Sequence, residues 1–158
     1  DDAFELINFL CHQLLRTTFL RDIFAQNSHN FSDLDTNRIY FIMSHILATN
    51  VAFGLCLQHQ EYSLTFLKND TSTQFIASDQ PIINLNTEND QHLRLYYPLT
   101  PKVALIFAKH DVSYHREEAL SQAEVKKYNF KLYEKSTSQI YANDRACLDH
   151  FPQSSEKI

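Results

Sequence analysis

Asp79 is the carboxylate whose setting most suggests a site. It lies in Phe75-Ile76-Ala77-Ser78-Asp79-Gln80-Pro81-Ile82-Ile83, a polar tetrapeptide between two apolar runs that read as strands. A polar group at a strand end sits beside a core, where Ser78 and Asp79 could serve as an acid, a base or a hydrogen-bonding pair. The same residues have a plainer use. The carboxylate of an Asx-type turn caps backbone N–H groups, and a proline fits the exit of such a turn. Arg16 poses the same choice: it is a member of a polar site, or a surface side chain whose stem packs beside Phe19 and Leu20. Pro81, Thr100 (between Pro98 and Pro101) and Asn129 complete the candidate set.

Other chemistries find little footing. Eight histidines raise the question of a metal, but His110 and His115 are five apart and share no helical or strand face, and neither HExxH nor HxH occurs. His12 and His45 meet only if the tertiary fold brings them together. No metal site is expected. The three cysteines, Cys11, Cys56 and Cys147, are odd in number and lack CxxC spacing. They read as reduced thiols of a cytoplasmic protein, with Cys11 and Cys56 packed among apolar residues. There is no GxSxG elbow. The single glycine, Gly54, lies inside a helical pattern, so this chain holds neither a P-loop nor a dinucleotide fingerprint, and no cofactor is expected. A net charge of −5 argues against a broad nucleic-acid surface.

The elements that must position these residues follow from periodicity. Phe4, Ile7, Leu10-Cys11 and Leu14-Leu15 recur at helical spacing and predict one helix from Phe4 to Phe24. After a polar break, Asp33 or Asp35 is placed to cap a second helix running from Ile39 to about Gln58. No Asp, Glu, Lys or Arg lies between Arg38 and Glu61. That stretch is long enough to span a bilayer, but Ser44, His45, Thr49 and Asn50 stand at its centre and no basic and aromatic flanks frame it, so a buried central helix is predicted and a membrane span is not. Glu61 to Lys68 alternates as a half-buried strand, and Phe75 to Ala77 reads as its hairpin partner across an Asn69–Ser72 turn. Further strands are predicted at Ile82–Leu85 and through Leu93, Leu95 and Tyr97, the latter ended by Pro98 and Pro101, which bracket Leu99-Thr100. Lys102 to Ala108 reads as a central strand buried on both faces. A last helix is predicted from Arg116 to about Ala142. Its stripe Val125, Asn129, Leu132, Ser136 and Ile140 puts Asn129 on the apolar face, where it must find partners.

The fold expected is therefore α+β: two N-terminal helices, the second central and buried, a four- to five-stranded antiparallel or mixed sheet, and a closing C-terminal helix. With 158 residues, 44% of them hydrophobic, the chain is expected to be one domain over 1–158 with an irregular tail over 143–158. It begins Asp1-Asp2 and reads as helix by Phe4, which suggests the C-terminal portion of a longer protein.

Several segments in this order resemble a bacterial family, domain of unknown function 4238. Arg16-Thr17-Thr18 is similar to that family's Arg-Thr-Pro element, with Thr18 in place of Pro. Ala77-Ser78-Asp79-Gln80-Pro81 is similar to its Thr-Ser-Asp-Asn-Pro element, and Pro98-Leu99-Thr100-Pro101 to its Pro-Leu-Ser-Pro element, followed by an Asn on the last helix, here Asn129. The family's N-terminal His-Tyr-Val-Pro type segment has no counterpart here. The resemblance implies relatives and carries no reaction. Two readings stand: a non-catalytic binding or interaction module, or part of a hydrolase or nuclease whose site gathers Arg16, Ser78, Asp79, Thr100 and Asn129 and is completed by that N-terminal segment. Convergence of Arg16, Asp79 and Asn129 in one cleft would favour the second; separate backbone caps would favour the first.

Overall fold

Strand Val103–Lys109 is apolar on both faces because it is covered on both. In the computed structural model, which describes residues 2–27, 35–86, 92–109, 116–149 and 151, it is the middle strand of a five-stranded mixed sheet. The elements in chain order are α1 (Asp2–Leu15), α2 (Thr18–Asn27), α3 (Thr36–Leu57), β1 (Tyr62–Lys68), β2 (Ala77–Ser78), β3 (Ile83–Asn84), β4 (Arg94–Thr100), β5 (Val103–Lys109), β6 (Arg116–Ala119), α4 (Gln122–Lys135) and β7 (Ile140–Tyr141). The large sheet runs β3-β4-β5-β1-β6, and β2 and β7 form a separate two-stranded sheet. Among the described residues, only the β1–β6 pair is parallel.

Alternation divides the core into two. Tyr62, Leu95, Leu105 and Phe107 face α1 and α3, where they meet Ile7, Leu10, Cys11, Ala48, Ala52 and Leu55. Leu67, Tyr96, Ala104 and Ile106 face the other way, against Val125 and Leu132 of α4 and against Phe75 and Ile76. Ala48 and Ala52 are four apart and fully buried, and such small side chains let α1 and its Leu10 come close. Tyr62 stacks on Phe107 with ring centroids 4.9 Å apart, and Tyr96 on Tyr128 at 4.8 Å.

Four expectations need correction. The first helix is two helices: the Thr17 hydroxyl donates to the Leu14 carbonyl at 3.3 Å and the Tyr40 hydroxyl donates to the Leu15 carbonyl, so side chains take the carbonyls that continued helix would have used. The second helix is not buried all round. It lies on the outside of the molecule, with Ala48, Ala52 and Leu55 inward and Phe41, Ile42, Phe53 and Leu57 exposed. It remains long and apolar enough to cross a membrane by length and composition. The hairpin partner of β1 is not Phe75–Ala77; β1 pairs with β5 and β6, while β2 pairs with β7. The last helix is shorter than its pattern, and it does not close the chain. Arg116–Ala119 is strand; Ser121 caps α4 in a capping box with Glu124, and Ser136 ends it ahead of β7.

Of the two proposed caps, Asp35 holds the start of α3 by accepting from the Arg38 N–H at 3.2 Å, and Asp33 lies outside the described residues. So do the segment 110–115, with His110 and His115, and most of the tail beyond Asp149. Before that point the tail holds a short 3₁₀ turn, Arg145–Cys147, capped by Asp144.

Candidate functional site

The segment from Gln74 to Gln80 crosses from the β4–β5 turn to the far end of α4, and polar side chains tie it down along its length. At its start, the Phe75 N–H donates to the Pro101 carbonyl at 3.0 Å. Next comes Asn129, buried in the middle of α4. Its Nδ2 donates to the Gln74 carbonyl at 2.7 Å and its Oδ1 accepts from the Ile76 N–H at 3.2 Å. One carboxamide thus serves the two backbone groups that flank Phe75, whose ring fills the core below.

Beyond the β2–β7 pairing, Asp79 makes the next fastening. Its Oδ1 accepts from the Thr137 N–H at 3.0 Å, and its Oδ2 accepts from the Ser138 N–H at 2.8 Å and the Ser138 hydroxyl at 2.9 Å. Its own N–H donates to the Gln139 carbonyl at 3.1 Å. The carboxylate does cap backbone N–H groups, but those of the loop after α4 rather than of its own turn. Ser78 is the residue that caps locally: its hydroxyl donates to the Gln80 carbonyl at 2.9 Å and accepts from the Gln80 N–H at 3.1 Å. The buried Gln80 side chain then reaches the Thr137 hydroxyl at 3.3 Å. Pro81, half-buried, follows and leads into the buried pair Ile82-Ile83.

Thr100 sits in the β4–β5 turn, where its hydroxyl oxygen accepts from the Lys102 N–H at 3.2 Å and the Val103 N–H at 3.0 Å. This turn and the Gln74–Gln80 segment form two walls of a 310 Å³ cleft; Tyr141, Ala142 and Asn143 form the third. Its lining holds no carboxylate, imidazole, thiol or amine; the Tyr141 phenol is its sole ionisable group. Such a lining can hold an apolar or proline-like group by contact and hydrogen bonding, but it offers no acid–base pair.

The structure brings Ser78, Asp79, Asn129 and Thr100 onto one connected assembly. Arg16 is not part of it. It is exposed at the break between α1 and α2, and α1 packs on the face of the sheet opposite to α4. Its backbone N–H donates to the His12 carbonyl at 3.1 Å.

Two further features were not among the candidate residues. Asn69, taken as turn chemistry, is buried and is the hub of its loop: its Nδ2 donates to the Thr73 and Pro101 carbonyls at 2.7 and 3.3 Å, and its Oδ1 accepts from the Thr71 N–H and hydroxyl at 3.0 and 2.7 Å. An Asn directly after an alternating strand is the signal that was available. The other is the pairing of His12 with His45, whose rings lie 4.6 Å apart between α1 and α3. Burial, and after it the neighbouring His45, holds the His12 imidazole below the ordinary histidine range. Among the described residues no third His, Cys, Asp or Glu joins them in a metal-ligating group. Cys11, buried against α3, has its thiol pushed up to about 11 by burial, which leaves it protonated and unreactive.

No curated protein and no solved structure matches this chain. The profile of one family does, over residues 6–146, an interval that contains Arg16, the Ala77–Pro81 and Pro98–Pro101 elements and Asn129. The chain belongs to that family, described as a protein of unknown function, DUF4238.

Proposed function

We propose that this chain is a non-catalytic binding or interaction module of a cytoplasmic bacterial protein. One observation carries the reading: the polar residues that a catalytic site would need are each engaged by backbone. Both Asp79 oxygens, both ends of the Asn129 carboxamide, the Ser78 hydroxyl and the Thr100 hydroxyl oxygen hold main-chain groups of the 74–80 segment or the loops beside it. A carboxylate already accepting three hydrogen bonds is poorly placed to take a proton from a substrate. Arg16, the cation that a hydrolase or nuclease site would draw on, is exposed at the end of α1, the helix that packs on the face of the sheet opposite to α4. The reduced cysteines, two of them buried, suit a cytoplasmic setting.

The test is turnover. Phosphodiester, ester and nucleic-acid substrates are offered to the chain and to its Asp79→Ala and Arg16→Ala variants. The expected result is no turnover in any of them, with a lower melting temperature for Asp79→Ala. Turnover that Asp79→Ala or Arg16→Ala abolishes while the melting temperature stays unchanged would sink the reading in favour of a hydrolase or nuclease.

A further inference from the structure

Among the described residues, α3 carries most of the exposed large hydrophobic side chains. Ile42, Ile46, Phe53 and Leu57 are 62%, 48%, 59% and 72% exposed, on the side of the helix away from Ala48, Ala52 and Leu55. Ile39, Ile42, Ile46, Thr49, Phe53 and Cys56 follow one another at alternating steps of three and four. That is the 3.5-residue period of a seam between two helices. Thr49 sits in this seam without an unpaired donor, because its hydroxyl donates to the His45 carbonyl at 3.0 Å.

Resting on the binding reading above, we propose that the occupant of this face is a second copy of the chain, α3 packed antiparallel on α3 about a two-fold axis. Three observations point to it. First, the stripe is nearly palindromic about the level of Ala48: Ile39 and Ile42 lie toward one end, Phe53 and Leu57 toward the other. A two-fold axis there sets Ile42 of each copy against Phe53 of its mate, a self-complementary patch of the kind that closes into a dimer. Second, the area suffices. A helix of 22 residues is about 33 Å long, and exposed aromatic and aliphatic side chains of this size bury on the order of 500 Å² per copy, roughly 1,000 Å² in all, which reaches the threshold for a specific interface. Third, the charges flanking the uncharged stretch are Arg38 at one end and Glu61 at the other. Antiparallel packing brings Arg38 of one copy to the Glu61 end of its mate, while parallel packing sets like against like. A lipid surface fits less well: exposed His45 and Asn50 flank the stripe, and a chain of net charge −5 is repelled by anionic headgroups.

Sedimentation equilibrium over a dilution series tests this. The expected mass is that of two chains, falling to one on dilution. Ile46→Lys and Phe53→Lys, both at exposed positions, should give one-chain mass at every concentration with an unchanged far-ultraviolet spectrum. As a second measurement, Ile42→Cys and Phe53→Cys chains, each in a Cys56→Ser background, are mixed and oxidised. The expected product joins one variant to the other; products joining each variant only to itself would overturn antiparallel packing. A wild-type chain that stays monomeric at its highest soluble concentration overturns the dimer, as does a dimer that both lysine variants leave intact. A monomer that co-sediments with phosphatidylcholine vesicles also overturns it, assigning the face to lipid. None of these results depends on turnover, so the dimer and the binding reading fail separately.

Discussion

The Asp79 carboxylate and Ser138, 59 residues apart in sequence, are joined twice: the Ser138 N–H and the Ser138 hydroxyl both donate to Asp79 Oδ2. With the Thr137 N–H on the other oxygen, the side chain closes the loop leaving α4 as a helix cap closes a first turn. Asp79→Ala should therefore lower stability by about 1–2 kcal/mol. Asp79→Asn, which keeps one carbonyl acceptor, should recover about half of that loss. Ser138→Ala should be less damaging alone and couple to Asp79→Ala in a double-mutant cycle by about 0.5 kcal/mol or more. Urea titrations of the four chains supply the cycle, and strictly additive losses would contradict the linkage.

Asn129 should be less replaceable than Asp79, because its two partners are backbone groups in a buried setting. Asn129→Ala leaves the Gln74 carbonyl and the Ile76 N–H without it and should lower stability by about 2–3 kcal/mol. Asn129→Leu should do no better despite filling the volume, since what is lost is hydrogen bonding. A leucine variant that melts like the wild type would mean that packing alone holds the 74–80 segment to α4.

Gly54 offers a gain. A Cβ added there meets nothing within 4 Å, and the residue sits inside α3. Gly54→Ala should raise stability by about 0.5–1 kcal/mol, by restricting the unfolded chain more than the folded one. A lower melting temperature would show that the glycine serves α3 in some way that the free space does not reveal.

The His12–His45 pair should make stability depend on pH. Because the His12 pKa lies below the ordinary value of 6.5 in the folded chain, the unfolded chain binds more protons near and below that value. The contribution is thus fully present above pH 6.5 and is lost as pH falls through the folded pKa. The wild type should lose more stability than His12→Asn when shifted from about pH 8 to about pH 5.5. Equal losses in the two chains would exclude His12 as a source of that dependence.

What the sequence determined by itself was whatever depends on near neighbours. The alternation of Tyr62, Leu64 and Phe66 set one face of β1, the unbroken apolar run of β5 marked the central strand, and the 3.6-residue stripe through Val125, Asn129 and Leu132 placed a polar side chain where it had to find partners. The tertiary structure decided everything that depends on what lies across a gap. Tyr40, from another helix, takes the Leu15 carbonyl where α1 ends, and no local pattern in residues 4–24 contains it. A helix apolar on all sides reads as buried, yet whether its second side is covered depends on how much of the fold reaches it, and here the sheet and α1 cover one side only. The partner of Asp79 was likewise beyond local reading: an Asx turn and a long-range cap use the same carboxylate, and only the arrival of the loop after α4, held there by β2 and β7, selects between them.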